Sequence, residues 1–127
     1  MDTHVKNNAA YYGTVRTDII NRIPYGNNRI LEVGCGDGST LLNLKREGKA
    51  FETVGVDIAE LGQQTNVDRF ILGNIEAIEI PYPEEHFDII ICADVLEHLR
   101  DPLQAIVKLK TNLRRGGLFI LCIPNIR

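Results

Sequence analysis

The sequence has few cysteines and no long apolar run, and each absence excludes a class of protein. The three cysteines, Cys35, Cys92 and Cys122, are too few and too widely spaced for a zinc cluster or a disulfide framework. No apolar run approaches the roughly 18 residues of a membrane span. The polar start, residues 1–8, lacks the apolar segment of a secretion signal. We therefore expect a cytoplasmic protein with no membrane partner.

The charge and composition indicate one soluble globular domain. The formal net charge is −3, and no run of lysine and arginine reaches the roughly five or six residues of a basic arm, which argues against general nucleic-acid binding. Apolar residues make up 44% and charged residues 24% of the 127 residues, which is enough for one packed core. We therefore expect a single domain over residues 1–127.

Apolar runs alternate with helix-like stretches along the chain, a pattern typical of parallel βαβ units. It predicts an α/β fold, with a Rossmann-like, open, mainly parallel sheet of about five strands and helices on both faces. The predicted strands are Arg29–Val33, Thr53–Val56, Arg69–Leu72, Phe87–Cys92 and Leu118–Ile123. The predicted helices are Ala9–Ile23 within an N-terminal helical segment (residues 1–28), Ser39–Glu47, Ala59–Gln64, and a last one that begins at Asp101-Pro102 and is closed by Gly116-Gly117.

Residues 30–39, Ile-Leu-Glu-Val-Gly-Cys-Gly-Asp-Gly-Ser, form the most informative stretch. A strand leads into glycines at alternate positions, Gly34, Gly36 and Gly38, and a helix begins directly after them. Such a junction lets the backbone approach a ligand closely at a helix N-terminus. Cys35, inside this loop, is more simply a small residue with room for the ligand than a nucleophile, since no histidine lies near it in the sequence.

Small or polar residues also end the other predicted strands. Asp57 ends the second strand, Asn74 follows the third, and Ala93-Asp94 follow the fourth. Ligands of open parallel sheets bind at the carboxyl ends of the strands, so these residues and Glu32 are expected to meet at one rim. Asp57 suits two vicinal ribose hydroxyls, because one carboxylate accepts both hydrogen bonds.

The acids near the glycines discriminate between nucleotide ligands. A dinucleotide site needs G-x-G-x-x-G/A and a helix N-terminus free for a pyrophosphate. Here the spacing is Gly34-x-Gly36-x-Gly38, and Glu32 and Asp37 would repel a pyrophosphate. The acids suit a ligand with a cationic end, such as S-adenosylmethionine, which carries sulfonium and ammonium groups beside its ribose and adenine. A dinucleotide-binding oxidoreductase domain is therefore the disfavoured alternative.

Four motifs in order resemble those of the class I S-adenosylmethionine-dependent methyltransferases, particularly the small-molecule group. They are Ile30–Ser39, Val54–Asp57, Leu72–Glu76 and Phe87–Leu99. The resemblance implies methyl transfer from S-adenosylmethionine to an unidentified, small-molecule acceptor. The residues that it places at the cofactor are Glu32, Gly34, Cys35, Gly36, Asp57, Ile58, Asn74, Ile75, Ala93 and Asp94. The family more often has Asp at the position of Asn74, but the Asn oxygen also accepts from the adenine amino group.

Two further groups of residues have competing interpretations. Asp94-x-x-Glu97-His98 would place two carboxylates and an imidazole on one face of a helical turn. Some methyltransferases use such a pattern for a divalent metal, yet similar sequences occur across the family without one, and we expect none here. His98 is the predicted catalytic base, with a structural hydrogen bond as the alternative. Tyr12 is expected either to cover the cofactor as a lid or to pack within the first helix.

The end of the sequence generates two expectations. Complete members of the family usually continue past the fifth strand with another helix and two strands, which this sequence lacks. Leu118–Ile123 would then be an apolar edge strand with unpaired backbone groups, and we expect a second copy to cover it in a homodimer. The same shortness leaves a non-catalytic module that binds S-adenosylmethionine or S-adenosylhomocysteine as the alternative to an active enzyme.

Overall fold

The structure is a computed structural model that describes residues 15–60 and 66–123. In this part of the chain one sheet contains five strands: β1 Arg29–Val33, β2 Glu52–Asp57, β3 Arg69–Leu72, β4 Phe87–Ala93 and β5 Leu113–Cys122. Their spatial order is β3-β2-β1-β4-β5, and every neighbouring pair is parallel. The winding therefore reverses between β1 and β4, where open sheets bind ligands. The predicted α/β, Rossmann-like fold is confirmed.

Three short α-helices and a 3-10 turn at the end of β4 accompany the strands in the part of the chain that the structure describes. They are α1 Thr17–Ile20, α2 Ser39–Arg46, α3 Pro102–Thr111 and the turn Leu96–His98. As predicted, Pro102 begins α3 and the Asp101 side chain caps it, accepting the backbone N–H of Gln104 at 3.1 Å. None of the helices in the described residues is long and apolar enough to cross a membrane.

The sheet buries a separate apolar cluster on each face, because successive side chains of a strand point to opposite faces. Ile30 of β1 and Ile89 of β4 face α1 and α2, whereas Leu31 and Ile90 face the side of α3. β4 is buried along almost its whole length, as expected of a central strand covered by helices on both sides. Glu32 follows the alternation of Ile30 and lies on the α1–α2 side of the sheet.

Within the described residues, two predicted helices differ from the structure. Within the described residues the first helix covers only Thr17–Ile20, and Ile23 is buried in the turn that follows. Residues 9–14, with Tyr12, lie outside the described part of the chain. Of the predicted helix Ala59–Gln64, residues 59 and 60 are not helical, and the rest lies outside the described residues.

The last helix ends at Thr111, well before the predicted stop at Gly116-Gly117. The side chain of Asn112 donates to the carbonyl oxygens of Tyr82 and Pro83 at 3.2 and 3.3 Å, which holds the chain where the helix closes. Leu113, which lies inside the predicted helix, pairs instead with Phe87 of β4. Tertiary pairing therefore overrides the local helical pattern at this position.

β5 forms one edge of the five-stranded sheet, as predicted for the fifth strand. Three apolar side chains on or next to it, Leu118, Leu121 and Ile123, are exposed. Exposed apolar residues on an edge strand favour pairing with another chain. The homodimer through this edge stays a prediction.

Gly34 joins the ends of three strands. Its φ is +80°, its N–H donates to Val56 O at 2.7 Å, and a Cβ placed on it would collide with Cγ2 of Val95. Gly48, after α2, has a similar φ of +77° but no atom within 4 Å of such a Cβ. The two glycines therefore share a backbone conformation and differ in the space around them.

Alanine at these two positions separates backbone strain from crowding. We expect Gly48→Ala to lower the free energy of unfolding by about 1 kcal/mol, the cost of a left-handed alanine. We expect Gly34→Ala to lower it by about 3 kcal/mol, because displacement of Val95 adds to the same strain. Urea unfolding of both variants measures the difference. Equal losses would mean that Val95 moves aside freely and that Gly34 does not fix the strand ends.

Candidate functional site

A cavity of about 390 Å³ opens at the carboxyl ends of the strands, within the size range of small-molecule sites. Its walls come from the glycine loop after β1, the ends of β2 and β4, the loop after β3 and the segment before α1. The residues predicted for the site that line it are Glu32, Gly34, Cys35, Gly36, Asp57, Ile58, Asn74, Ile75, Ala93, Asp94 and His98. Tyr12, also predicted for the site, lies outside the described residues.

Asp57, at the end of β2, is oriented by backbone donors on two sides. Its Oδ2 accepts the N–H of Gly36 at 2.8 Å, and its Oδ1 accepts the N–H of Ala59 at 3.0 Å. Each carboxylate oxygen keeps lone-pair capacity for a second donor. The neighbouring Ile58 side chain is 77% exposed although it is apolar. Together they form a wall with a fixed acceptor and an uncovered apolar surface.

Asn74 shapes the loop after β3. Its Oδ1 accepts the backbone N–H of Glu76 at 2.9 Å, which forms a tight side-chain turn. The carboxylate of Glu76 accepts the N–H groups of Arg100 and Asp101 at 3.1 and 2.9 Å, and these bonds hold its pKa below the usual range. The loop that carries Asn74 is therefore tied to the start of α3.

Glu32 is a buried carboxyl in the wall of the cavity. Its side chain is 3% exposed, and its Oε1 has no hydrogen-bond partner among the described residues. Burial, which disfavours the charged form, raises the pKa of this carboxyl to about 8; the charge of Arg16 acts against burial, and Asp57 and Asp37 act with it. The burial of Glu32 therefore favours the protonated form of its carboxyl.

Arg16, just before α1, was not predicted from the sequence. Its guanidinium binds Asp94 at 2.9 Å and Asp18 at 3.0 Å, and its backbone N–H donates to Oγ1 of Thr40 at 3.1 Å. The hydrogen bond to Asp18 is the largest cause that raises the pKa of Arg16. A lone arginine in a polar N-terminal segment carries no sequence signal, because only the fold brings it to the ends of β1 and β4.

Cys35 lies in the glycine loop and has an inert thiol. Its side chain is 7% exposed, and a Cβ on Gly55 of β2 would lie 2.6 Å from its sulfur. Burial, with Glu32 and Asp57 adding to it, raises the pKa of the thiol far above its ordinary range. A thiol that stays protonated is a poor nucleophile, so Cys35 serves as a small buried residue.

Asp94, Glu97 and His98 are not gathered on one face as the sequence suggested. Asp94 has a left-handed backbone (φ +58°) and turns to Arg16, and only Glu97 and His98 belong to the 3-10 turn. Oε2 of Glu97 lies 3.5 Å from Nε2 of His98, whose side chain is 76% exposed. Within residues 15–60 and 66–123, no group of three or more His, Cys, Asp or Glu side chains is placed to hold a metal ion.

Comparisons with known proteins agree with this geometry. A family model described as a methyltransferase domain matches residues 8–127. A ubiquinone biosynthesis O-methyltransferase of Neisseria meningitidis serogroup C is 36% identical over 94 residues, which are 67% of this chain and 39% of that protein. A tRNA U34 carboxymethyltransferase of Actinobacillus pleuropneumoniae serotype 7 is 36% identical over 106 residues, which are 77% of this chain and 33% of that protein.

A solved structure shares the fold as well. The YcgJ protein of Bacillus subtilis matches with a TM-score of 0.69 and 28% identity, over 83% of this chain and 48% of that one. The chain spans about a third to two fifths of the length of the two curated relatives.

The buried Glu32 predicts a specific dependence of stability on pH. The pKa of Glu32 is about 8 in the folded protein, whereas its ordinary value is 4.5. The free energy of unfolding of the wild type therefore falls as the pH rises between these two values. The difference in the free energy of unfolding, Glu32→Gln minus wild type, should therefore rise by on the order of 3 kcal/mol from pH 5 to pH 8.5.

Urea unfolding at the two pH values measures this change. Glu47→Gln, which neutralises an exposed acid at the end of α2, is the control. A difference between Glu32→Gln and the wild type that does not vary with pH would show that Glu32 is ionised in the folded protein.

Proposed function

The chain belongs to the methyltransferase domain family of the class I S-adenosylmethionine-dependent enzymes, and on this premise we propose that it binds S-adenosylmethionine in the cavity and transfers the methyl group to a small-molecule acceptor. One observation carries the proposal. A buried acid, Glu32, whose Oε1 has no hydrogen-bond partner among the described residues, and an oriented acid, Asp57, line one cavity beside the glycine loop. In the proposed site they hold the two ends of the cofactor.

The adenosine end of the cofactor fits the wall formed by β2 and the loop after β3. The two oxygens of Asp57, already oriented by backbone N–H groups, accept the two ribose hydroxyls. The exposed side chain of Ile58 covers one face of the adenine and loses its contact with water. Asn74 and Ile75 border the adenine edge, where the second lone pair of the Asn74 oxygen accepts the amino group.

The amino-acid end fits the charges around β1 and β4. Glu32 has a buried oxygen that needs a donor, and the ammonium group of the cofactor supplies one. Arg16 lies at the same cavity, and its guanidinium matches the cofactor's carboxylate. Gly34 and Ala93 carry no side chain beyond Cβ, which leaves space between these charges. The residues present therefore fit a zwitterionic, cationic cofactor.

The bound cofactor supplies a methyl group that is already activated on a sulfonium, so the protein mainly aligns the reactants and excludes water. In this proposal His98 takes the proton that a hydroxyl acceptor loses during attack. Its imidazole lies at the exposed rim of the cavity, with Oε2 of Glu97 at 3.5 Å from its Nε2. Exposure of the ring leaves it free to meet an acceptor that enters from solvent.

The acceptor is a separate question from the cofactor. The two relatives are named for a ubiquinone-pathway O-methylation and for a tRNA carboxymethylation, yet both match this chain at 36% identity. Identity over the matched segment therefore does not choose between them. The acidic net charge and the lack of a basic run support the small-molecule class.

Ligand protection tests the cofactor proposal. At about one hundred times its Kd, S-adenosylhomocysteine should stabilise the protein by about 2.7 kcal/mol and raise Tm by roughly 8 °C, whereas NAD should not. Asp57→Asn should weaken S-adenosylhomocysteine binding by at least about tenfold, because it removes charge-assisted hydrogen bonds. Thermal scans and calorimetric titration give both quantities.

Glu47→Ala, which removes an exposed acid at the end of α2, is the matched control and should bind as the wild type does. Protection by NAD in place of S-adenosylhomocysteine would replace the proposal with the dinucleotide alternative.

His98→Gln tests the proposed base. For an acceptor that loses a proton during attack, we expect kcat to fall by about 100-fold or more, with the Kd of S-adenosylhomocysteine unchanged. The measurement is the S-adenosylhomocysteine released with a panel of small hydroxyl and amine acceptors, as a function of pH. Unchanged turnover and an unchanged pH profile would assign His98 a structural role.

A further inference from the structure

The buried carboxyl of Glu32 is the feature of the cavity that the proposed function leaves only partly explained. Glu32 stands at the end of β1, is 3% exposed, and lines the cavity with an Oε1 that lacks a hydrogen-bond partner among the described residues. A carboxylate in such a position has lost its water without gaining a donor, which is costly. A protonated carboxyl avoids most of that cost.

Arg16, a cation whose charge acts on Glu32, makes no hydrogen bond to it among the described residues. The guanidinium of Arg16 donates to Asp18 from Nε and one terminal nitrogen, and to Asp94 from the other. The other charged groups that act on Glu32 are Asp37 in the glycine loop and Asp57 on β2, both acids that oppose its ionisation. The thiol of Cys35 stays neutral beside it.

We propose that Glu32 carries a proton in the free protein and that the ammonium group of the cofactor replaces it, so that cofactor binding releases a proton. The inference rests on the proposed function and deepens it. An ammonium against the carboxylate restores both a donor and a compensating charge to the buried oxygen. Glu32 is then a proton-for-ammonium exchange site, and the ligand it selects is a primary ammonium attached to an adenosine.

The exchange has two measurable consequences at neutral pH. With a pKa of about 8 in the empty cavity, Glu32 releases about 0.9 proton per ligand at pH 7. Below that pKa the proton competes with the ligand, so S-adenosylhomocysteine should bind about tenfold more tightly at pH 7 than at pH 6. 5′-Methylthioadenosine has the same adenosine but no ammonium, so its binding should release almost no proton and vary little with pH.

Titration calorimetry of the wild type tests the proposal directly. Each ligand is titrated at pH 7 in phosphate and in Tris, whose ionisation enthalpies differ, and the slope of the observed enthalpy against ionisation enthalpy counts the protons released. We expect about 0.9 proton for S-adenosylhomocysteine and nearly none for 5′-methylthioadenosine. Binding of both ligands with the same proton count would overturn the exchange and leave the proposed function standing. Binding of neither would overturn the proposed function itself.

Two variants assign the proton to a residue. Glu32→Gln should abolish proton release on S-adenosylhomocysteine binding and leave the affinity for 5′-methylthioadenosine within about twofold of the wild type. Asp37→Asn, which changes a neighbouring acid, should keep the release. Release that persists in Glu32→Gln and disappears in Asp37→Asn would overturn the assignment to Glu32. If Glu32→Gln does not fold, the comparison of the two ligands on the wild type still decides the proposal.

Discussion

The burial of one carboxyl group determines the character of the cavity. Glu32 is placed by the alternation of β1 on the α1–α2 side of the sheet, opposite Gly55 of β2 and Ile91 of β4 in the strand register. A buried carboxyl is tolerated only if it is protonated or matched by a donor. Arg16 donates to Asp18 and Asp94 and not to this carboxyl. In the proposed site a cationic ligand takes the place of the proton on Glu32.

The parts of the site that the sequence predicts are those that the sheet topology alone brings together. Asp57 and Asn74 follow apolar strands, and parallel strands end at the same rim, so their meeting needs no further information. Arg16 and the ion pair with Asp94 escape prediction because they depend on how a polar segment crosses the rim. The predicted helix extends too far past Thr111 for a related reason. Leu113 pairs with Phe87 of the neighbouring strand, and a local sequence pattern does not reveal that long-range pairing. Local patterns predict elements, and long-range pairing decides their ends.

The cavity has a wall of regular strand ends and a rim of irregular backbone. The wall proposed to bind adenosine consists of strand ends and a loop that Glu76 ties to the start of α3, all fixed by hydrogen bonds from backbone N–H groups to side-chain carboxylates. The rim, from Asp94 to His98, is a left-handed residue followed by one 3-10 turn. A rigid wall suits a ligand that never changes, and a short irregular rim is the part that tolerates substitution. Relatives named for different acceptors match this chain equally well, which fits such a division.

The contact between Cys35 and Gly55 has a consequence for how this sequence evolves. A methyl group at position 55 would lie 2.6 Å from the sulfur of Cys35 and 3.1 Å from its Cβ, so the two positions share one volume. A larger residue on β2 is acceptable only after the loop residue becomes smaller, and the reverse order passes through an overpacked intermediate. The two sites therefore form an epistatic pair in which order matters: enlargement at position 55 is expected only in lineages where position 35 has already become smaller.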